Sequence, residues 1–270
     1  MSFFEALILG LVQGLTEFLP VSSSAHVQIA QELLDLSELS RPQLTAFIAI
    51  IQLGTELAVL LYFAKDIVRI LRSWTVDGFQ KFSAQPTDAK LGWLVIIGTV
   101  PIVALGLAFE SQIENELRSL TVIGFTLIIF GLALGVADWL GPKNRELSQI
   151  GIKDGVLIGL GQAMALIPGV SRSGGSITVG RMLGLTREAA TRFSFLIAIP
   201  AVLGAGLYQF LTSYSDLPTE LLLSTLIATV VSFIVGYAVI ALLLAYVKRG
   251  SFLPFVIWRV VVGVMVLTLV

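Results

Sequence analysis

Six apolar stretches recur along this chain, at 44–64, 91–109, 119–139, 189–212, 221–246 and 252–270, each bounded by polar residues. Each reaches roughly the 20 residues that a helix needs to cross the hydrocarbon of a bilayer. Inside lipid every backbone N–H and C=O must be satisfied within the segment, so runs of this kind fold as helices. The scarcity of charge points to the same solvent. Charged residues make up 13% of the chain, hydrophobic residues 56%, and the mean hydropathy is +0.93. A water-soluble domain carries about 25% charged residues. The chain therefore reads as an all-α integral membrane protein with six transmembrane helices. The net charge of −1 argues against a nucleic-acid partner, which requires a basic face. The absence of cysteine excludes disulfides and thiol chemistry, and the lone histidine, His26, excludes a multi-histidine metal site. The N-terminus has no basic n-region and no small-residue cleavage site, so it reads as mature structure.

Two further segments are apolar but broken. Residues 3–35 are interrupted by Pro20-Val21-Ser22-Ser23-Ser24, and residues 152–184 by Pro168-Gly169-Val170-Ser171-Arg172-Ser173-Gly174-Gly175. Proline removes a helix donor and clashes with the preceding turn, while serines offer caps for a new helix. Each segment reads as helix, loop, helix. Unwound backbone at membrane depth survives only inside protein or beside a watery cavity.

Charge sets the expected topology. Lys65, Arg69, Arg72, Lys81 and Lys90 fall in one loop, Lys143, Arg145 and Lys153 in another, Arg181, Arg187 and Arg192 in a third group, and Lys248 and Arg249 in a fourth. The positive-inside rule makes all four cytoplasmic. The stretches near 110–118 and 212–220, with Glu110, Glu114, Glu116, Asp216 and Glu220, are then external. Segment 152–184 has basic flanks at both ends, so it is expected to enter from the cytoplasm and return as a re-entrant hairpin. Segment 3–35 contains no lysine or arginine, but span 44–64 must run inwards, which puts residues 36–43 outside. Either 3–35 is a hairpin entering from outside, or it is one kinked span with a cytoplasmic N-terminus. An internal repeat favours the hairpin. Leu9-Gly10-Leu11-Val12-Gln13 resembles Ile158-Gly159-Leu160-Gly161-Gln162, a Pro-and-Ser break follows each, and Phe47 to Tyr62 has the spacing of Phe193 to Tyr208. One membrane domain, 1–270, thus divides into a first repeat, 1–140, and a second, 150–270. Each is a hairpin plus three spans, and three is odd, so the second repeat is inverted. Inverted repeats with broken helices place a site at the midplane.

The breaks carry the chemistry. Gln13 and Glu17 lie at i and i+4 and share a helix face, one turn before the first break. Ser22, Ser23 and Ser24 start the next half-helix, with His26 in its first turn. A carboxylate, three hydroxyls and the one imidazole converge where a charged group costs roughly 2.5–3.5 kcal/mol on insertion scales. A packing role would have the serines capping a helix and Glu17 paired with Arg172; as a set, the residues point to function. The second break adds Arg172, whose planar fork matches phosphate oxygens, with Ser171, Ser173, Ser176 and close-approach glycines, Gly174 among them. Two half-helix N-termini then face each other, positive ends inward, around Arg172. That constellation is an anion site, best suited to phosphate.

The strings GLTEFLPVSSSAH and PGVSRSGGS strongly resemble the two signature segments of the undecaprenyl-diphosphate phosphatase family of the bacitracin-resistance type. The resemblance covers essentially the whole chain, including Ile51 to Gly54. It implies hydrolysis of undecaprenyl diphosphate to the monophosphate, which recycles the lipid carrier of cell-wall synthesis. It also implies a divalent cation, Mg²⁺ or Ca²⁺. The family's first motif is written Glu-or-Gln, three residues, Glu; here it is Gln13 and Glu17, one carboxylate fewer, which puts a two-carboxylate metal site from this motif alone in doubt. By resemblance Ser23, His26 and Arg172 match the family's serine, histidine and phosphate arginine, and Ser176 stands where a threonine is frequent.

The resulting expectation is a phosphatase with Glu17, Ser23, His26 and Arg172 catalytic. Gln13, Ser22, Ser24, Ser171, Ser173, Gly174 and Ser176 bind substrate, and Glu17 is a candidate metal ligand. Ser23 as nucleophile, with His26 or Glu17 as base, stands beside a metal-activated water. The partners are a prenyl diphosphate lipid and membrane lipid, and a homodimer is compatible with them. The site is expected to open to the outer face of the bacterial inner membrane. A lipid-phosphate flippase or transporter is the rival, since inverted repeats also build transporters; it has no need of the Glu17/Ser23/His26 group. Glu56 and Gln52, four apart, either help hold a metal or pair with polar neighbours. Arg259, mid-way along the last span, is expected in an inter-helix ion pair. The four tryptophans, at 74, 93, 139 and 258, are expected as interface anchors.

Overall fold

The computed structural model describes residues 1–34, 36, 39–109, 119–141 and 144–269. The acidic stretch with Glu110, Glu114 and Glu116, Lys143 and part of 36–43 lie outside the described residues. Among the described residues there are eleven α-helices and no named strand. They are α1 (Phe3–Thr16), α2 (Ser23–Leu33), α3 (Arg41–Tyr62), α4 (Ala64–Asp77), α5 (Thr87–Ala108), α6 (Leu120–Leu140), α7 (Ile152–Ala163), α8 (Arg172–Met182), α9 (Arg187–Ser213), α10 (Leu222–Tyr246) and α11 (Leu253–Leu269). The helix starts carry chemical signals. Ser2 and Ser40 form capping boxes with Glu5 and Gln43, and Ser119 and Thr186 accept from the third backbone N–H of α6 and α9.

The chain is an all-α integral membrane protein. The five helices α3, α5, α6, α9 and α10 are long and apolar enough to cross a bilayer, while α11 has 17 residues. Their outward faces present Leu107, Leu132, Leu226 and Leu242, all more than half exposed. Such continuous apolar surface belongs against lipid. One expectation is corrected: Lys65, Arg69 and Arg72 do not lie in a loop but on helix α4, which packs on α5. Lys65, Arg69 and Arg72 gather on one face of α4, and Ile67, Ile70 and Leu71 on the other, the amphipathic pattern of a helix lying in a membrane interface.

In lipid, helix association depends on close backbone approach rather than on apolar burial. Small residues supply it here. A methyl group on Gly10 would strike the backbone of Ala228, and one on Gly159 would strike that of Gly98. Thus α1 sits against α10, and α7 against α5. Next to these contacts Thr229 Oγ1 donates to Ile50 O at 3.4 Å, and Thr99 Oγ1 donates to Ile197 O at 3.2 Å.

The two broken segments fold back on themselves. Arg145 bonds Asp154 in the first turn of α7 and the carbonyl of Leu183 just past α8, so both ends of that segment meet. Met1, Ala6, Leu34 and Leu36 share one apolar cluster, which joins the ends of α1 and α2. Both breaks turn through a non-glycine residue in the left-handed region, Ser22 (φ 75°) and Ser171 (φ 73°). Such residues cost about 1–3 kcal/mol each and persist only where the surroundings impose them.

Candidate functional site

What imposes that turn is Arg259, on α11. It is fully buried and donates to the carbonyls of Pro20 (3.1 Å), Val170 (3.0 Å) and Gly169 (2.9 Å), and to Leu127 O (3.2 Å) on α6. The expected ion pair is replaced by backbone acceptors: the breaks free carbonyls that a helix would have used, and a guanidinium with five donors can gather them. Thr126 Oγ1 adds a 2.6 Å bond to Pro168 O, and Ser173 Oγ crosses to Leu19 O at 3.1 Å. The two tips are thereby fixed against each other.

Glu17 stands at the C-terminal end of α1, and its two oxygens are divided. Oε1 pairs with the Arg172 guanidinium, and Oε2 accepts from Ser23 Oγ at 2.6 Å and from Gln13 Nε2 at 2.9 Å. Gln13 Nε2 also reaches Thr55 Oγ1 at 3.4 Å on α3. A serine hydroxyl on a carboxylate that a third group orients is the arrangement of an activated nucleophile. Ser23 opens α2 and Arg172 opens α8, so both sit in the first turn of a half-helix, at the positive end of its dipole. Glu17 and Arg172 line a pocket with Thr55, Glu56, Ser173 and Ser194, and Ser23 is joined to it through Glu17.

Not every expected residue reaches it. His26 does not meet Ser23: its Nδ1 lies 2.8 Å from Ser22 O, and its Nε2 accepts from Trp258 Nε1 at 2.8 Å. A carbonyl only accepts and an indole only donates, so Nδ1 carries the proton and both nitrogens are occupied. Sequence spacing put the ring and the hydroxyl on nearly one face, but the left-handed turn at Ser22 offers the ring a carbonyl. Ser22 Oγ pairs with Ser24 Oγ at 3.2 Å and does not cap α2. Ser171 does cap, accepting from Gly174 N at 3.1 Å, and pairs with Ser173 at 3.1 Å. Ser176 Oγ turns to Ser194 Oγ at 2.6 Å, so Ser194 takes the place at the pocket wall. Ser194 and Trp258 were missed. The first is one serine on a long apolar helix, and the second reads as an interface anchor, half-exposed as anchors are.

Fold and site together define a multi-pass membrane protein in which two broken helices bring a serine, a carboxylate and an arginine together between them. A family model described as Bacitracin resistance protein BacA matches residues 6–265, and the chain belongs to that family. A protein of a Nocardioides species named Undecaprenyl-diphosphatase is 52% identical over 272 residues, 99% of this chain and 96% of the relative. Undecaprenyl-diphosphatase 2 of Agrobacterium fabrum is 52% identical over 100% of this chain and 96% of its own length. Undecaprenyl-diphosphatase of Micrococcus luteus is 50% identical over 97% and 95%.

Proposed function

We infer that this chain hydrolyses undecaprenyl diphosphate to undecaprenyl phosphate and inorganic phosphate. The family membership and the names of relatives at about half identity support the reaction. The observation that carries the mechanism is the 2.6 Å bond from Ser23 Oγ to Glu17 Oε2 beside Arg172. Transport of a phosphate would not require it. Arg172 and the N-termini of α2 and α8 take the distal phosphate. Ser23 Oγ attacks its phosphorus, Glu17 Oε2 takes the hydroxyl proton, and the P–O–P bond breaks to release the prenyl monophosphate. Water then hydrolyses the phosphoserine to inorganic phosphate. When bound, a divalent cation, Mg²⁺ or Ca²⁺, neutralises charge on the diphosphate oxygens. Among the described residues no three acidic or histidine side chains cluster, which suits a cation held by one or two carboxylates and the substrate itself. One buried oxygen without a donor, Glu56 Oε2, lies in the same pocket. Phosphate release from undecaprenyl diphosphate by purified protein, abolished by chelator, is expected; no release with added Mg²⁺ or Ca²⁺ would reject the reading.

The architecture follows the same inference. Six spans, with α11 as the sixth, and two re-entrant hairpins, α1–α2 and α7–α8, form two inverted repeats, 1–140 and 150–270. The matched contacts of Gly10 and Gly159, of Thr99 and Thr229, and of Ser22 and Ser171 support it. The site opens to the outer face of the bacterial inner membrane, and the exposed apolar faces meet lipid or a second copy in a homodimer. Arg145, Arg181, Arg187 and Arg192 gathered around Asp154, Asp138 and Asp66 mark the cytoplasmic end. Ser2→Cys and Ser37→Cys are both expected to react with an impermeant thiol reagent in intact cells; protection of the first alone would mean one kinked span.

A further inference from the structure

Glu56 is the least explained side chain of the pocket. It is 3% exposed on α3, its Oε2 meets no donor, and its Oε1 receives only a long 3.4 Å contact from Gln52 Nε2. A buried polar oxygen left without a partner carries the full cost of its desolvation. The charges acting on Glu56 are Arg172 and Glu17. Arg172, the cation of the pocket, pairs with Glu17 and not with Glu56. Space has nonetheless been kept for the carboxylate: on α9, a methyl group on Gly206 would strike both of its oxygens.

The pocket's charges do not balance once substrate enters. Two carboxylates, Glu17 and Glu56, face one guanidinium, and a diphosphate ester adds only negative charge. Both Glu17 oxygens are engaged, by Arg172 and by Ser23 with Gln13. Position 13 contributes a neutral amide that bridges Glu17 and Thr55, the residue next to Glu56. A hard dication seeks anionic oxygen, and Glu56 Oε2 is the buried carboxylate oxygen here with no hydrogen-bond donor.

We propose that Glu56 is a divalent-cation ligand of this site, supplying from α3 the carboxylate that Gln13 does not, so that the cation bridges Glu56 and the substrate diphosphate. This rests on the phosphatase reading, and its test does not use turnover. Purified protein with methylenediphosphonate is titrated with Mn²⁺ and followed by electron paramagnetic resonance. Wild type is expected to bind Mn²⁺, and Glu56→Gln to bind it at least about tenfold more weakly. The double variant Gln13→Glu with Glu56→Gln should recover part of the loss, since the side chain at 13 reaches Glu17 and Thr55, which line the pocket. Without cation, Glu56→Gln should unfold close to the wild-type temperature, because the carboxyl has no ion pair to lose and only a long 3.4 Å contact from Gln52. Gly206→Ala, which keeps Glu56 but crowds its carboxyl, should also weaken Mn²⁺. Unchanged Mn²⁺ affinity in Glu56→Gln, no Mn²⁺ site in wild type, or a lower unfolding temperature for cation-free Glu56→Gln would overturn the proposal. Phosphate release from undecaprenyl diphosphate decides the enzyme reading separately.

Discussion

The two breaks share a backbone and differ in chemistry. Each turns through a left-handed serine, Ser22 or Ser171, whose hydroxyl meets that of the serine two residues on, at 3.2 Å and 3.1 Å. Each gives carbonyls to Arg259. Yet the second break is almost wholly buried and its polar groups serve the fold: Ser171 caps α8, Ser173 reaches Leu19, and Ser176 reaches Ser194. Arg172 turns from it towards the pocket, where Ser173 lines the wall beside it. The first break is partly open, with Ser23 half-buried and Ser24 exposed, and it brings Glu17 onto Ser23. One scaffold is used twice, once as a rigid mount for a cation and once as the reacting edge. A left-handed turn is expensive, so both copies pay for it with the same arginine.

The sharpest way to break this contrast is at the reacting edge. Ser23→Ala is expected to lower turnover by at least about 10³-fold, and Glu17→Gln by about 10²–10⁴-fold, the range for a lost general base. Rapid acid quench and mass spectrometry should trap a phosphoryl group on Ser23 in wild type. An active Ser23→Ala with nothing trapped would transfer the attack to a metal-bound water. On the mounting side, Arg172→Lys should cost about 10²-fold, because an ammonium cannot make the forked contacts of a guanidinium. Its expression and thermal stability should hold, and near-normal turnover would remove Arg172 from the site.

How much of this was legible in the sequence follows from what each residue needs to be recognised. Long apolar runs report helices by length alone, so five spans and both breaks were readable, and an ionisable group at mid-membrane marks itself. Glu17 and Arg172 are legible that way, whereas Ser23 is singled out among three serines by the family resemblance. Partners distant in the chain were not. Asp138 lies near the end of an apolar run and gives no local sign that it will hold Arg181, Arg187 and the backbone of Phe252. Arg259 invited an acidic partner because ion pairs are the common answer to a buried cation, and the freed carbonyls of two breaks are visible only once they meet. Helix α4 reads as a loop because five charged residues are interspersed among its apolar ones in a linear count, and its two faces separate only on the helical period.

Arg259 should act on both breaks equally. Arg259→Leu leaves buried carbonyls of Pro20, Gly169 and Val170 without a donor, at roughly 1–3 kcal/mol for each group not rescued by water. Unfolding free energy in detergent is expected to fall by roughly 2–4 kcal/mol. Hydrogen exchange should rise together in peptides covering 19–22 and 168–171. A rise at only one of them would mean that the shared clamp is not shared, and the parallel between the breaks would fail.

The smallest expected effects concern His26 and Trp258, where the sequence and the geometry part company. Spacing suggested that the imidazole serves Ser23 as base. The structure gives the ring a proton on Nδ1 for Ser22 O and a bare Nε2 for the Trp258 indole, with the two rings nearly parallel at 12°. A neutral ring so held steadies the strained turn that presents Ser23, and Glu17 takes the proton. His26→Ala should then lower turnover by about 10–100-fold, as loss of an orienting partner does, while the pH–rate profile keeps its shape. Trp258→Phe, which retains the stacking face and loses one donor, should change turnover by no more than about threefold, a single net hydrogen bond of roughly 0.5–1.5 kcal/mol being too small for more. A histidine base predicts otherwise: wild-type turnover would fall with acid through the imidazole range, and His26→Ala would lose that limb. Its disappearance in His26→Ala would return the base to the imidazole and imply that the ring leaves Ser22 and Trp258 when substrate binds.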